Sequence, residues 1–155
     1  MPPNPGGEVK DTVSLAILFG LLVGCAGTTP ASSSSDIEAK KFSPEPGMAG
    51  LYIARTYDTF ASLVPFPVDV DGNEIGYLSA GGYLLVPVGP GQHTVQVSSM
   101  VNTDRAVFEA AAGRNYFYEV QAIKQGAIAQ AQLGIVLLEP MGRLMVNQSK
   151  RIEGR

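Results

Sequence analysis

The chain has 155 residues, a formal net charge of −3, one histidine, one cysteine and no tryptophan. At this length one hydrophobic core can be filled and two full domains cannot. The slight acid excess offers no basic face for nucleic acid, and a single cysteine excludes a disulfide framework and any multi-cysteine zinc site. Glycine and proline number 18 and 11, about a fifth of the chain against roughly 12% in average usage, which points to many turns.

The first element in chain order is an apolar run, Val13 to Val23 (VSLAILFGLLV). Eleven residues are too few to span a bilayer, which takes about 20, but they suit the apolar region of a secretory signal. Leu22, Val23, Gly24 and Cys25 follow as a block that resembles a bacterial lipoprotein signal. The leader before it, with Lys10 opposed by Glu8 and Asp11, departs from the usual positive start. The resemblance implies cleavage before Cys25, lipidation of its thiol and acylation of its new amino group. Residues 1–24 are then a signal peptide and Cys25 the membrane anchor. Ala26 rather than Asp after the cysteine implies, by the same resemblance, export to the outer membrane facing the periplasm. Residues 25–49, with the serine run Ser32 to Ser35 and Pro44-Glu45-Pro46-Gly47, read as a flexible Ser/Pro-rich tether.

From residue 50 to 149 the pattern turns to period two. Turn-forming clusters begin at Asp71, Ala80, Gly89, Asn102, Ala112 and Gln125, nine to thirteen residues apart, a spacing that predicts an all-β sandwich or barrel. Val68 and Val70, then Val95 and Val97, alternate with polar neighbours. Tyr116, Tyr118, Val120 and Ala122 share one face of a strand, with Phe117, Glu119 and Gln121 on the other. Leu51 to Tyr57 and Tyr83 to Val88 are continuously apolar, as central strands are. Gly126 to Gly134 is rich in Ala and Gln and suits a short helix, Ile135 to Glu139 a strand, and Arg143 to Ser149 either a last strand or a helical turn. The expected fold is all-β, mainly antiparallel, a small Ig-like or transthyretin-like sandwich with room for one short C-terminal helix.

Four turn motifs carry a further likeness: Val70-Asp71-Gly72, Gly81-Gly82-Tyr83, Pro90-Gly91-Gln92-His93-Thr94 and Ala112-Gly113-Arg114-Asn115-Tyr116-Phe117. The stretch from Gly50 to Glu139 resembles a family of bacterial lipoproteins known only as a domain of unknown function, and is similar to the short β-rich modules named for a Pro-Glu-Gly-Ala signature. These are turn residues, so they imply a fold and bring no catalytic set.

Chemical signals are sparse. Asp69 to Glu74 begins like a calcium loop, but the sixth and twelfth positions hold Glu74 and Ala80 where Gly and Glu are needed, so a hairpin turn is expected. His93, with Asp71 and Ser79 or Ser98 imagined beside it, would be the base of a hydrolase. No Gly-x-Ser-x-Gly elbow accompanies it, and a local hydrogen-bonding role is the simpler reading. No metal site, cofactor or catalytic residue is expected. Tyr116, Phe117 and Tyr118 suit cross-strand packing better than a ligand platform, with Phe117, on the polar side, the residue to watch. Exposed apolar residues around Leu63-Val64-Pro65-Phe66-Pro67, above all Val64 and Phe66, are expected to meet a partner. The tail 150–155 ends in Ile152-Glu153-Gly154-Arg155, a protease recognition sequence used to remove tags, and is set aside. The function expected is a membrane-anchored, non-catalytic subunit of a cell-envelope assembly, partnered by the membrane through Cys25 and by other envelope proteins. The alternative is a periplasmic binding module for peptide or glycan, or an inhibitor of a cell-wall enzyme.

Overall fold

The computed structural model describes residues 1–2 and 28–155. The signal-like run, with Leu22, Val23, Gly24 and Cys25, lies outside the described residues. The chain runs α1 (Ser33–Ala39), β1 (Ala49–Arg55), β2 (Phe66–Val70), β3 (Asn73–Leu78), β4 (Gly82–Val88), β5 (Gly91–Ser98), β6 (Thr103–Ala110), β7 (Asn115–Gln125), β8 (Ile128–Ile135), α2 (Glu139–Asn147) and β9 (Lys150–Arg151). One sheet has the order β8-β7-β1-β4-β9 and the other β3-β2-β5-β6. The second sheet is antiparallel throughout. The first is mixed, because β1 runs parallel to β7 and β4 parallel to β9.

The expectation of an all-β, mainly antiparallel sandwich holds. Between the sheets lie Leu51, Ile53, Phe66, Val68, Val95, Val97 and Val120, supplied by alternate positions of their strands. The second sheet leaves its outer face to solvent, so β6 alternates between exposed and covered residues and Val107 projects outward. The first sheet is covered on both faces, and β1, its central strand, is buried at every position, as a doubly covered strand must be.

The second cover is made by the two helices. Phe42, Tyr52, Tyr83, Phe117, Met145 and Val146 form an outer core beneath them. Tyr52 and Phe117 stack at 5.2 Å between centroids. A Cβ on Gly142 would land inside the Phe117 ring, so α2 lies directly on that ring because it has glycine there. The expected tether is therefore structured from Thr28 onward. Ser32 caps α1 by accepting from the Ser35 N–H at 3.2 Å, a role serine fills as readily as it fills a linker. Asp36 then accepts from Tyr83 Oη at 2.8 Å, the Arg151 N–H at 3.0 Å and Lys40 Nζ at 2.9 Å. Burial pushes its carboxyl up, but these donors outweigh burial and hold it below the ordinary carboxylate value. Burial likewise pushes the Tyr52 hydroxyl up to about 12, and it remains a donor to Ala39 O at 2.7 Å.

Two C-terminal expectations are corrected, and an open one is decided in favour of helix. Gly126 to Gly134 is not a helix: Ile128–Ile135 is β8, paired along its length with β7. Ile135 ends that strand, so Ile135 to Glu139 forms no strand of its own, and Arg143 to Ser149 belongs chiefly to α2. The tail is part of the fold. Ile152 donates its N–H to Tyr83 O at 2.8 Å and its side chain joins the main core, closing over Gly82 where no Cβ would fit. Exposed strand edges are managed by neighbours. Asn102 pairs with both backbone groups of Ala131, and Asp104 accepts from the Leu133 N–H, which closes β6 onto β8.

Candidate functional site

The two ends of the sandwich differ in chemistry. At one end lie the β2–β3, β4–β5 and β6–β7 turns. Asp71 and Gly72 have φ of 53° and 79°, the paired positive values of a two-residue hairpin turn that Asp-Gly favours. The turn places Asp71 Oδ2 at 2.7 Å from His93 Nδ1, while Oδ1 accepts the Thr94 N–H at 2.8 Å. His93 Nε2 lies 2.8 Å from Gly89 O. Both ring nitrogens thus face acceptors, the arrangement that suits an imidazolium donating twice. The hydrogen bond with Asp71 raises the His93 pKa and lowers that of Asp71. The pair clasps two turns together. Of the imagined hydrolytic set, only Asp71 joins His93. Ser98 stands five residues along β5, about 17 Å at strand rise, and bonds to Thr103 Oγ1 at 3.0 Å. Ser79 sits beyond the far end of β3, in the turn to β4.

The other end is apolar. Residues 56–65, the Ser99 to Asn102 turn and the β7–β8 hairpin cluster there, with the Ser79 to Gly81 turn beside them. Exposed at their tips are Tyr57, Phe60, Leu63, Val64, Met100, Val101 and Ile128. Leu63 and Met100 are 93% and 94% exposed, so they touch almost nothing of their own domain. The three turns at the clasp end expose no large apolar side chain among the described residues.

Residues 56–65 are held by Arg55, whose side chain is fully buried at the end of β1. Its guanidinium donates to Val64 O at 2.6 Å, Ala61 O at 2.8 Å and Asp58 Oδ2 at 2.9 Å, and lies 4.3 Å over the Phe66 ring. Asp58 Oδ1 accepts the Ala61 N–H at 2.6 Å. Arg55 Nε alone has no partner. The planar fork satisfies two carbonyls and a carboxylate at once, which a lysine ammonium could not do in this geometry. The apolar side chains of the loop are therefore displayed on a fixed frame.

Of the expected contact residues, Val64 is at this apolar end. Phe66 is not a surface residue: it is fully buried, because alternation puts it on the inward face with Val68 and Val70, beneath Arg55. Phe117 is buried as well, since α2 covers the side of β7 expected to face water. Cys25 and the block before it lie outside the described residues. Leu63 belongs to the run expected to meet a partner; Tyr57, expected within a central strand, instead lies exposed beyond the end of β1, and Met100 carried only the signal of an apolar residue inside a turn segment, where polar ones are the rule. A second apolar strip, Leu137, Leu138, Met141 and Leu144, faces outward from α2 and its approach.

Among the described residues no group of three or more His, Cys, Asp or Glu side chains is placed to hold a metal ion. A pocket of about 230 Å³ opens between α1 and β1, lined in part by Glu38, Pro44, Tyr52 and Arg151, below the roughly 300–1,000 Å³ usual for small-molecule sites.

A family model described as "Protein of unknown function (DUF2846)" matches residues 45–134. No curated protein matches the chain. The match covers more than half of the chain, from before β1 to the last residue but one of β8, and includes all three loops of the apolar end; α1, α2 and β9 fall outside it. The chain belongs to this family.

Proposed function

We propose that this member of the DUF2846 family is a lipid-anchored, non-catalytic protein of the bacterial cell envelope, and that its working surface is the apolar end of the sandwich. The observation that carries the reading is the set of large apolar side chains exposed at one end, where one of the loops, residues 56–65, is held by a fully buried arginine. Soluble domains that expose contiguous apolar surface do so at interaction sites.

Three further features support it. Leu22-Val23-Gly24-Cys25 has the form of a lipoprotein signal, and the turn motifs are similar to Pro-Glu-Gly-Ala modules. The only histidine is engaged at both nitrogens in a clasp at the opposite end, so its ring serves a structural contact. The test is metabolic labelling with a fatty acid in a bacterial host, followed by membrane fractionation. The chain is expected to take up label and sediment with membranes, and Cys25→Ser to do neither. An unlabelled, freely soluble native chain would overturn the reading.

A further inference from the structure

One strand edge is left open. β9 pairs with β4 only at Gly82 and Tyr83. After Ile152 the tail turns to the second sheet, where the Arg155 N–H donates to Ile75 O at 2.9 Å. Beyond Tyr83, β4 is therefore the outermost strand of the first sheet among the described residues. The alternation of an antiparallel pair fixes which groups it presents there. Gly50 donates its N–H to Arg114 O, on the β7 side, so Tyr52, two residues on, also turns its backbone to β7. Leu85, opposite Tyr52, thus turns its N–H and C=O away from β1, onto the open edge. Pro87 turns its C=O the same way, and a strand tolerates its missing N–H at such an edge.

The edge borders the cleft of about 230 Å³, whose lining includes Tyr52, Leu85, Pro87, Glu45 and Arg151. Arg151 stands level with Tyr83, where the open edge begins. Its guanidinium is half-buried, and its one side-chain hydrogen bond among the described residues runs from Nη1 to Ser35 O at 3.0 Å. Asp36 takes the Arg151 backbone N–H instead, and among the described residues no carboxylate forms a salt bridge with the guanidinium. An arginine fork held half out of water without a counter-ion is matched by a carboxylate. Glu38, also in the lining, is paired with Lys41. Glu45 precedes β1, near the end where Ala49 faces Val88, so the cleft is positive toward Tyr83 and negative toward Val88.

We infer that this edge takes the extended C-terminal segment of a partner protein, added as a strand antiparallel to β4 with its terminal carboxylate on Arg151. Strand addition to a free edge is a general mode of peptide recognition. The charges choose the direction. β4 runs from Gly82 to Val88, so an antiparallel strand ends at Arg151, where β9 stops further pairing, and brings a carboxylate there. A parallel strand would begin there and bring an ammonium to a guanidinium. The terminal residue pairs with Leu85, its N–H donating to Leu85 O and a carboxylate oxygen accepting the Leu85 N–H. The residue two before it donates to Pro87 O and extends its side chain toward Glu45, which favours lysine or arginine at that position. The cleft is small for a free small molecule and suits a side chain of such a strand. This site is distinct from the apolar end and does not depend on lipidation.

The test immobilises the full chain, in mild detergent, and passes over it a library of random hexapeptides with free C-terminal carboxylates. The best-retained sequences are resynthesised as acid and as carboxamide and titrated by fluorescence anisotropy. Retained peptides are expected to carry Lys or Arg third from the end, and the carboxamide to bind about tenfold or more weakly than the acid, the loss of one charge-assisted contact. Arg151→Gln should weaken the acid by a similar factor and leave the carboxamide unchanged, since the two changes remove one interaction. Leu85→Pro, which removes only the edge N–H, should weaken both forms, whereas Leu63→Ser at the apolar end should weaken neither. The comparison of acid with carboxamide needs no variant, so it stands even if one fails to fold. A library from which nothing is retained, or acid and carboxamide that bind the unaltered chain equally, overturns the inference.

Discussion

Arg55→Met tests the frame of the apolar end. Methionine keeps an unbranched apolar stem over Phe66 but withdraws three hydrogen bonds, leaving Val64 O without a partner, Ala61 O with the Val64 N–H alone and Asp58 without its cation. Breaking a buried pair by removing one member costs about 3–5 kcal/mol. Two features bring this down. Asp58 is 28% exposed and regains some water, and the desolvation penalty of about 1–3 kcal/mol on the unpartnered Arg55 Nε disappears. The net expectation is a loss of about 2–3 kcal/mol, or about 4–12 °C in Tm for a chain of this size. The loss should be local in character. Thermal unfolding by circular dichroism gives the magnitude, and hydrogen exchange gives the place: the Ala61 and Val64 amides, which close this loop, should lose protection while β1 keeps its own. A Tm change below about 2 °C with unchanged exchange at Ala61 would refute the claim that Arg55 holds the loop.

Gly142→Ala separates packing from propensity. Propensity alone would stabilise α2 by about 1 kcal/mol, whereas the clash with Phe117 should cost about 1–3 kcal/mol, so Tm is expected to fall; a rise would show that α2 does not lie on that ring. Ile152→Ala should destabilise by about 2–5 kcal/mol in a denaturant titration, and a silent substitution would contradict the place of the tail in the core. For the His93–Asp71 clasp, the histidine pKa is raised from 6.5, so its contribution is full below 6.5 and is lost as pH rises through the raised folded value. Asp71 is lowered from 3.8, so its contribution is present above 3.8 and is lost as pH falls through the lowered value. Stability measured against pH should therefore decline on the alkaline side of 6.5, and His93→Gln should remove that decline; a slope that survives the substitution would assign it to another group.

Much of the sandwich was legible because its signals are local. Alternation at Val68 and Val70, at Val95 and Val97 and along Tyr118 and Val120 needs only the two-residue repeat of a strand to place those side chains inward. Asp71-Gly72 dictates its turn by backbone sterics alone. The inward place of Phe66 was in the same alternation, two residues before Val68, and was obscured by the prolines on either side of it. The apolar end was half legible: Val64 stood out in its run, but Met100 sits in another turn some 36 residues away in sequence, and nothing local says that the two tips share one end.

By itself, then, the sequence determined most of the strands before residue 126, the main hairpin and the inward faces of most of those strands. These follow from side-chain alternation and turn stereochemistry, which act over a few residues. Only the tertiary structure decided the rest. Ser33–Ala39 is a helix rather than a tether because Asp36 finds Tyr83 and Arg151, 47 and 115 residues away, and seven residues do not hold a helix in water without such contacts. Ile128–Ile135 is a strand because β7 offers it a partner edge, its Ala and Gln residues having no firm preference of their own. Phe117 is covered because α2 carries a glycine where the ring must lie. Arg55 is buried because its three acceptors are gathered by a loop that the arginine itself holds in shape. In each case the deciding energy lies in a contact between distant residues, and sequence order carries no record of that distance.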